Sequence, residues 1–127
     1  MEINNLAVLR EVQAAFDAYE RALMTNDLKV LDALFWASPH TVRYGAGECL
    51  YGEDEIAAFR RARSGGSPQR TLTRTVITTF GSDFATANTE FVREGAASVG
   101  RQSHAWARLP EGWRIVAAHV SMMGAGA

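Results

Sequence analysis

Apolar residues recur at spacings of three and four near the start of the chain, which is the period of a helix buried along one face. The pattern is formed by Leu9, Val12, Phe16, Tyr19 and Leu23. It predicts one amphipathic helix over residues 5–25, with Tyr19 on the stripe that faces the core. A phenol is therefore expected inside the protein.

Two shorter helices are predicted to follow. Asp27 can cap a helix that ends before Pro39. The acidic residues 53–55 stand where negative charge stabilises a helix N-terminus, and a third helix is expected from there to the Ser-Gly-Gly sequence at 64–66. Its stripe is mixed, because Arg60 and Arg63 share one side with apolar residues. Both guanidiniums could point at the same interior as the phenol of the first helix.

After Pro68 the pattern changes to alternating, β-branched runs that predict four long strands. They cover Arg70–Phe80, Phe84–Glu94, Ser98–Leu109 and Trp113–Met123. Turn residues separate consecutive strands, so antiparallel hairpins are expected. Helices segregated from such strands indicate an α+β fold, in which three N-terminal helices pack on a curved, mainly antiparallel sheet and form a cone with an open mouth.

Composition narrows the class of protein. The chain has 127 residues, 47% hydrophobic and 21% charged, which predicts a single domain over residues 1–127 with an ordinary core. Net charge is −1 with mixed signs, so neither a nucleic acid nor a membrane surface is expected as partner. Cys49 is the only cysteine, and the start of the sequence does not resemble a signal peptide, so a cytoplasmic location is expected. The partner is predicted to be a small molecule.

A charge interrupts Thr41–Tyr44, a run that otherwise reads as a buried strand. Arg43 needs an anion to face if it is buried there. If the first helix brings Tyr19 over this strand, the guanidinium would make the phenol a better proton donor. Two alternatives stay open: the hydroxyl of Tyr19 could reach water or a backbone carbonyl, and Arg43 could extend along a sheet edge into solvent.

Four further residues are candidates for binding a substrate. Arg60 and Arg63 could clamp a carboxylate in bidentate fashion, or at least one of them could lie on a solvated helix flank. On the last strand, alternation puts His119 and Ser121 on the same face as Ile115. That face could line the pocket or form a dimer interface, and the pattern does not decide which strand face is inward.

The sequence lacks the motifs of several common types of catalytic site. The three histidines lack metal-ligand spacing, and the sequence has neither a nucleophile elbow nor a phosphate-binding glycine loop. Cys49 would need a positioned base to act as a nucleophile. We therefore expect neither a metal nor a cofactor, and any catalysis should use proton donation and charge stabilisation.

Four segments together resemble the AtzH-like group, which includes the oxalurate-catabolism protein HpxZ. They are Thr41–Gly45, Leu50–Gly52, Phe59–Arg63 and Gly112–Ser121. The order of helices and strands resembles the wider nuclear transport factor 2-like, or cystatin-like, superfamily. The resemblance implies a small homodimer or higher homo-oligomer encoded near amidases of ureide or s-triazine breakdown. It also implies a metal-independent decarboxylating amidohydrolase, a hydrolase of cyanuric acid catabolism that turns 1,3-dicarboxyurea into allophanate.

The family's essential tyrosine and arginine match Tyr19 and Arg43. Their interval of 24 residues resembles that between the helix tyrosine and the catalytic aspartate of ketosteroid isomerases. Because arginine stands at the second site here, the isomerase base is missing and an anionic, urea-type substrate is favoured. Two other functions stay open: a non-catalytic companion of a neighbouring amidase, and an isomerase or dehydratase, which would need a pocket without inward arginines.

Overall fold

The computed structural model describes residues 1–124. Its helices are α1 (Leu6–Thr25), α2 (Leu28–Leu34) and α3 (Glu53–Ala62). Its strands are β1 (Val42–Tyr44), β2 (Cys49–Tyr51), β3 (Arg70–Phe80), β4 (Phe84–Arg93), β5 (Val99–Leu109) and β6 (Gly112–Met122). The four long strands match their predicted limits to within one residue, whereas β2 was not predicted.

The strands form one sheet in the order β2-β1-β6-β5-β4-β3. All neighbours are antiparallel except β1 and β6, which run parallel. The parallel pairing places the short β1–β2 hairpin beside the last strand, so that Arg43 lies opposite Ala118. The predicted α+β class, with three helices on a mainly antiparallel sheet, is confirmed.

Polar side chains start the first two helices. The Asn5 side-chain oxygen accepts hydrogen bonds from the backbone amides of Ala7 and Val8, at 3.0 and 3.3 Å. Asp27 caps α2, as predicted, by accepting from the amide of Val30 at 3.2 Å. These caps satisfy amides that have no partner within the helix.

The helices cover one face of the sheet. The buried stripe of α1 packs with Leu31, Ile56 and the inward residues Trp106 and Ile115 in a single hydrophobic cluster. Burial of these large side chains is the main favourable term that holds the helices to the sheet. Within residues 1–124 the structure contains no helix with the length and apolar character needed to cross a bilayer.

Candidate active site

Helix α1 places Tyr19 in the interior, as its apolar spacing predicts. The side chain is 5% exposed. Its ring contacts the ring of Phe35, with centroids 6.2 Å apart, and meets His104 edge to face at 4.7 Å. Aromatic neighbours on two sides restrict the direction in which the phenol can point.

The β1–β2 hairpin presents Arg43 to the same region. Its side chain is only 14% exposed, and Nη1 donates to Oε2 of Glu48 at 2.7 Å. The guanidinium carbon lies 5.4 Å from the centre of the Phe59 ring. A Cβ at Gly45 would collide with the carboxylate of Glu48, so the absence of a side chain at this position leaves room for the ion pair.

Helix α3 supplies two more guanidiniums from its mixed stripe. Arg60 is buried, 7% exposed, and pairs with Asp32, which also binds the exposed Arg61. Arg63, just beyond the last turn, lies 5.7 Å from the centre of the Phe59 ring. In the described chain no carboxylate forms a salt bridge with Arg63, and its buried Nε has no hydrogen-bond partner.

These four side chains line one cavity. Its walls are Tyr19, Leu23, Arg43, Ile56, Phe59, Arg60 and Arg63. Its volume is about 20 Å³, enough for one water molecule. The structure thus brings together the phenol and the three arginines that the sequence singled out, although they come from three elements distant in the chain.

Electrostatics make the cavity suitable for an anion. Burial lowers the pKa of the Arg60 guanidinium, and the nearby charge of Arg43 acts in the same direction, while Tyr19 and Asp32 oppose them. Burial and the charge of Arg43 likewise lower the pKa of Arg63. The positive charges disfavour one another, and a bound carboxylate would relieve that repulsion.

His119 and Ser121 do not line this cavity. Partners in the β5–β6 ladder shift so that Ala105 faces Ala117 while Trp106 faces Ile115, which leaves Val116 as an extra residue. Such a bulge reverses the alternation beyond it. The prediction that Ile115 shares a face with His119 and Ser121 is therefore wrong.

Beyond the bulge, Ala118 and Val120 are buried on the helix side of the sheet. His119 is exposed on the opposite, outer face, where its ring meets Tyr44 edge to face at 5.6 Å. The sequence left open whether this face of β6 lines the pocket or forms a dimer interface. In the structure His119 lies on the outer face of the sheet, where an interface could form.

Three residues near the cavity were not among the predicted site residues. Glu48 and Asp32 neutralise two of the arginines, and nothing in the spacing of the sequence signals either pairing. His104 is one of the three histidines whose spacing in the sequence suggested no metal site. It is 2% exposed, and neither ring nitrogen finds a hydrogen-bond partner in the described structure.

The surroundings of His104 keep its imidazole neutral. Burial, followed by the positive charges of Arg70 and Arg43, lowers its pKa to about 3. Arg70 is itself held by two hydrogen bonds to Glu20, at 3.0 and 2.6 Å. The His104 side chain that packs against Tyr19 is therefore an uncharged imidazole.

The described residues do not assemble a metal site. Within residues 1–124 no group of three or more His, Cys, Asp or Glu side chains is close enough to hold a metal ion. Cys49 is exposed and free. What the cavity offers is a hydroxyl that can donate a proton and guanidiniums that can bind an anion.

The AtzH-like family model matches residues 1–126. The chain belongs to the AtzH-like family. Two solved structures are close to it. A protein of unknown function from Pectobacterium atrosepticum shares 57% identity over 96% of this chain and 95% of its own, with a TM-score of 0.94. A cystatin-like fold protein from Burkholderia xenovorans shares 50% identity over 98% of each chain, also with a TM-score of 0.94.

A more distant likeness places this AtzH-like protein in the wider fold. A nuclear transport factor 2-like superfamily protein from Salmonella enterica serovar Typhimurium shares 26% identity over 95% of this chain and 94% of its own, with a TM-score of 0.77. No curated protein matches the chain. The family and the nuclear transport factor 2-like fold expected from the sequence are therefore confirmed.

Proposed function

We propose that this AtzH-like protein is a metal-independent decarboxylating amidohydrolase that converts 1,3-dicarboxyurea into allophanate, as part of cyanuric acid or ureide catabolism. The observation that carries the proposal is that Tyr19 lines one secluded cavity with Arg43, Arg60 and Arg63. The positive charge of the cavity suits a small dianion, although its volume of about 20 Å³ must increase for one to enter. A phenol can supply the proton that the nitrogen needs when CO2 leaves a carbamate. No cofactor enters the reaction.

In the proposed reaction Arg43 holds one carboxylate of the substrate. The bond between the other carboxyl carbon and its urea nitrogen breaks, the electron pair stays on nitrogen, and CO2 leaves. Tyr19 gives its proton to that nitrogen, which makes it a better leaving group, and the phenolate regains a proton from solvent. The arginines around the phenol stabilise the negative charge that forms on it for part of the cycle.

The pocket argues against the isomerase alternative. An isomerase or dehydratase acting on an apolar cyclic substrate predicts a pocket without inward arginines, whereas three guanidiniums line this cavity. The companion role with an amidase is the alternative that the experiment below distinguishes. A cytoplasmic location is part of the proposal and rests on the single free Cys49.

A homodimer is also part of the proposal, with a second copy on the outer face of the sheet. A shallow depression there is lined by Val42, Tyr44, Ala117 and His119 among others. Several of the lining residues, such as Ser103, Ala105 and Ala117, have small side chains, which allows two sheets to approach closely. Glu90 faces Arg101 across the β4–β5 ladder. Neither residue forms a salt bridge within the described part of the protomer, so both charges are free to pair across a twofold axis.

The function is tested by release of CO2 and allophanate from 1,3-dicarboxyurea. Tyr19→Phe removes the proton donor while keeping the ring, and the expected loss in kcat is roughly 10²–10⁴-fold, the usual contribution of a general acid. Arg43→Ala is expected to abolish measurable turnover. Tyr51→Phe and Arg61→Ala are matched controls, since both side chains are exposed and lie outside the cavity.

Near wild-type turnover in both Tyr19→Phe and Arg43→Ala would show that this mechanism is wrong. If the wild-type chain alone turns over nothing but purifies with a neighbouring amidase, the companion role replaces it.

A further inference from the structure

The three guanidiniums of the cavity differ in how their charge is balanced. Arg43 is paired with Glu48 and Arg60 with Asp32. Arg63 has no carboxylate partner in residues 1–124. The cavity therefore carries one positive charge that the described protein does not neutralise.

Arg63 is held in an unfavourable position. It is half-buried, and its buried Nε has no hydrogen-bond partner in the part of the chain that the structure describes. Burial lowers its pKa, and the charge of Arg43 adds to the effect. A buried guanidinium nitrogen without a partner costs free energy that a ligand carboxylate can recover, because charge-assisted bidentate pairs are among the strongest hydrogen bonds.

The size of the cavity indicates which side chain moves when a ligand enters. About 20 Å³ holds one water but no dicarboxylate, so a lining side chain must swing outward. Arg43 and Arg60 are anchored by ion pairs, whereas Arg63 caps the C-terminal end of α3 and is followed by Gly65 and Gly66, both with positive φ. Of the three arginines that line the cavity, Arg63 would therefore lose the fewest interactions if its side chain moved.

Arg43 and Arg63 also lie against the same ring. Their guanidinium carbons are 5.4 and 5.7 Å from the centre of Phe59. A short molecule with a carboxylate at each end could therefore contact both. We propose that Arg63 binds the second carboxylate of the ligand and makes this site select dicarboxylates over monocarboxylates. Because that carboxylate leaves as CO2 in the proposed reaction, the contact adds to binding and selectivity rather than to the rate of bond breaking.

The inference deepens the proposed function, on which it rests for the reaction, but binding alone tests it. The probe is glutarate, whose two carboxylates are separated by the same number of atoms as those of 1,3-dicarboxyurea. Its monoamide, glutaramate, is the matched monoanion. Dissociation constants are measured by calorimetry for the wild type, Arg63→Gln and Arg61→Gln, the last being a neighbouring, exposed arginine outside the cavity.

The expected result is that Arg63→Gln weakens glutarate binding by roughly tenfold or more, the usual effect of losing a charge-assisted contact. Its effect on glutaramate should be much smaller. Arg61→Gln should change either affinity by less than about threefold, because an exposed charge is screened.

Two results would overturn the inference: equal weakening of both ligands by Arg63→Gln, or a wild type that does not prefer glutarate over glutaramate. A protein that selects glutarate through Arg63 but releases no CO2 from 1,3-dicarboxyurea would refute the proposed function and leave the dicarboxylate site standing.

Discussion

Replacing His104 with phenylalanine should change how the stability of the protein depends on pH. The imidazole is buried against Tyr19, without hydrogen-bond partners in the described chain, and its pKa is lowered to about 3. In the unfolded chain a histidine has an ordinary pKa of about 6.5. Between these values the unfolded state binds a proton that the folded state does not, so stability falls as pH falls.

The magnitude follows from the two pKa values. Each pH unit below the unfolded pKa costs about 1.4 kcal/mol. Lowering the pH from 7 to 5 protonates His104 in the unfolded chain while the folded imidazole stays neutral, and the expected loss in the free energy of unfolding is about 2 kcal/mol. With a urea m-value of about 2 kcal/mol/M, the unfolding midpoint should move by about 1 M.

The assay is urea unfolding of the wild type and His104→Phe at pH 7 and pH 5, at one fixed protein concentration so that any dimerisation contributes equally. Carboxylates that titrate in this range are common to both proteins, so the difference between them isolates the imidazole. The variant should lose about 2 kcal/mol less than the wild type. If the free energy of unfolding falls by the same amount in the two proteins, His104 is not a buried, neutral imidazole.

Two further predictions concern the charge beside the cavity and the outer face of the sheet. Glu48→Gln removes a negative charge next to Arg43, so glutarate should bind more tightly, by up to roughly tenfold at low salt and less at high salt; weaker binding in calorimetry would mean that Glu48 serves mainly to orient Arg43. Ala117→Arg places a charge on the outer face and should convert a dimer into a monomer in sedimentation experiments, whereas Ala58→Arg, on an exposed position of α3, should not; a monomeric wild type would contradict the dimer.

The buried stripe of α1 shows how much of the fold can be predicted from local sequence patterns. The burial of Tyr19 and the limits of the long strands follow from periodicities of 3.6 and 2, which depend only on neighbours in the chain. The same reasoning put Arg60 and Arg63 on one stripe of α3 with apolar residues and left open whether both face inward; in the structure both line the cavity. The sequence resemblance also pointed to the AtzH-like family, which the family model confirms.

The pairing of β5 with β6 could not be predicted from local sequence patterns. One extra residue, Val116, shifts the register and turns His119 to the outer face. A bulge arises from pairing between strands, and the alternation of a single strand carries no trace of it. Three residues are too few to show a period, so β2 was not predicted, and the equally short β1 was recognised only from the residue types of Thr41–Tyr44.

By itself, then, the amino-acid sequence determined the apolar stripe of α1 with Tyr19 on it, where the long strands begin and end to within one residue, and which family the protein resembles. Only the tertiary structure decided that Arg60 meets Asp32, 28 residues away, that Glu48 folds back over Gly45 to reach Arg43, and that Arg63 is left without a carboxylate in the described chain. Inward orientation on a helix is set by local geometry, whereas on a strand it also depends on bulges that arise from pairing with a neighbouring strand. Charge pairing depends on which distant elements pack together, and that is a property of the folded chain alone.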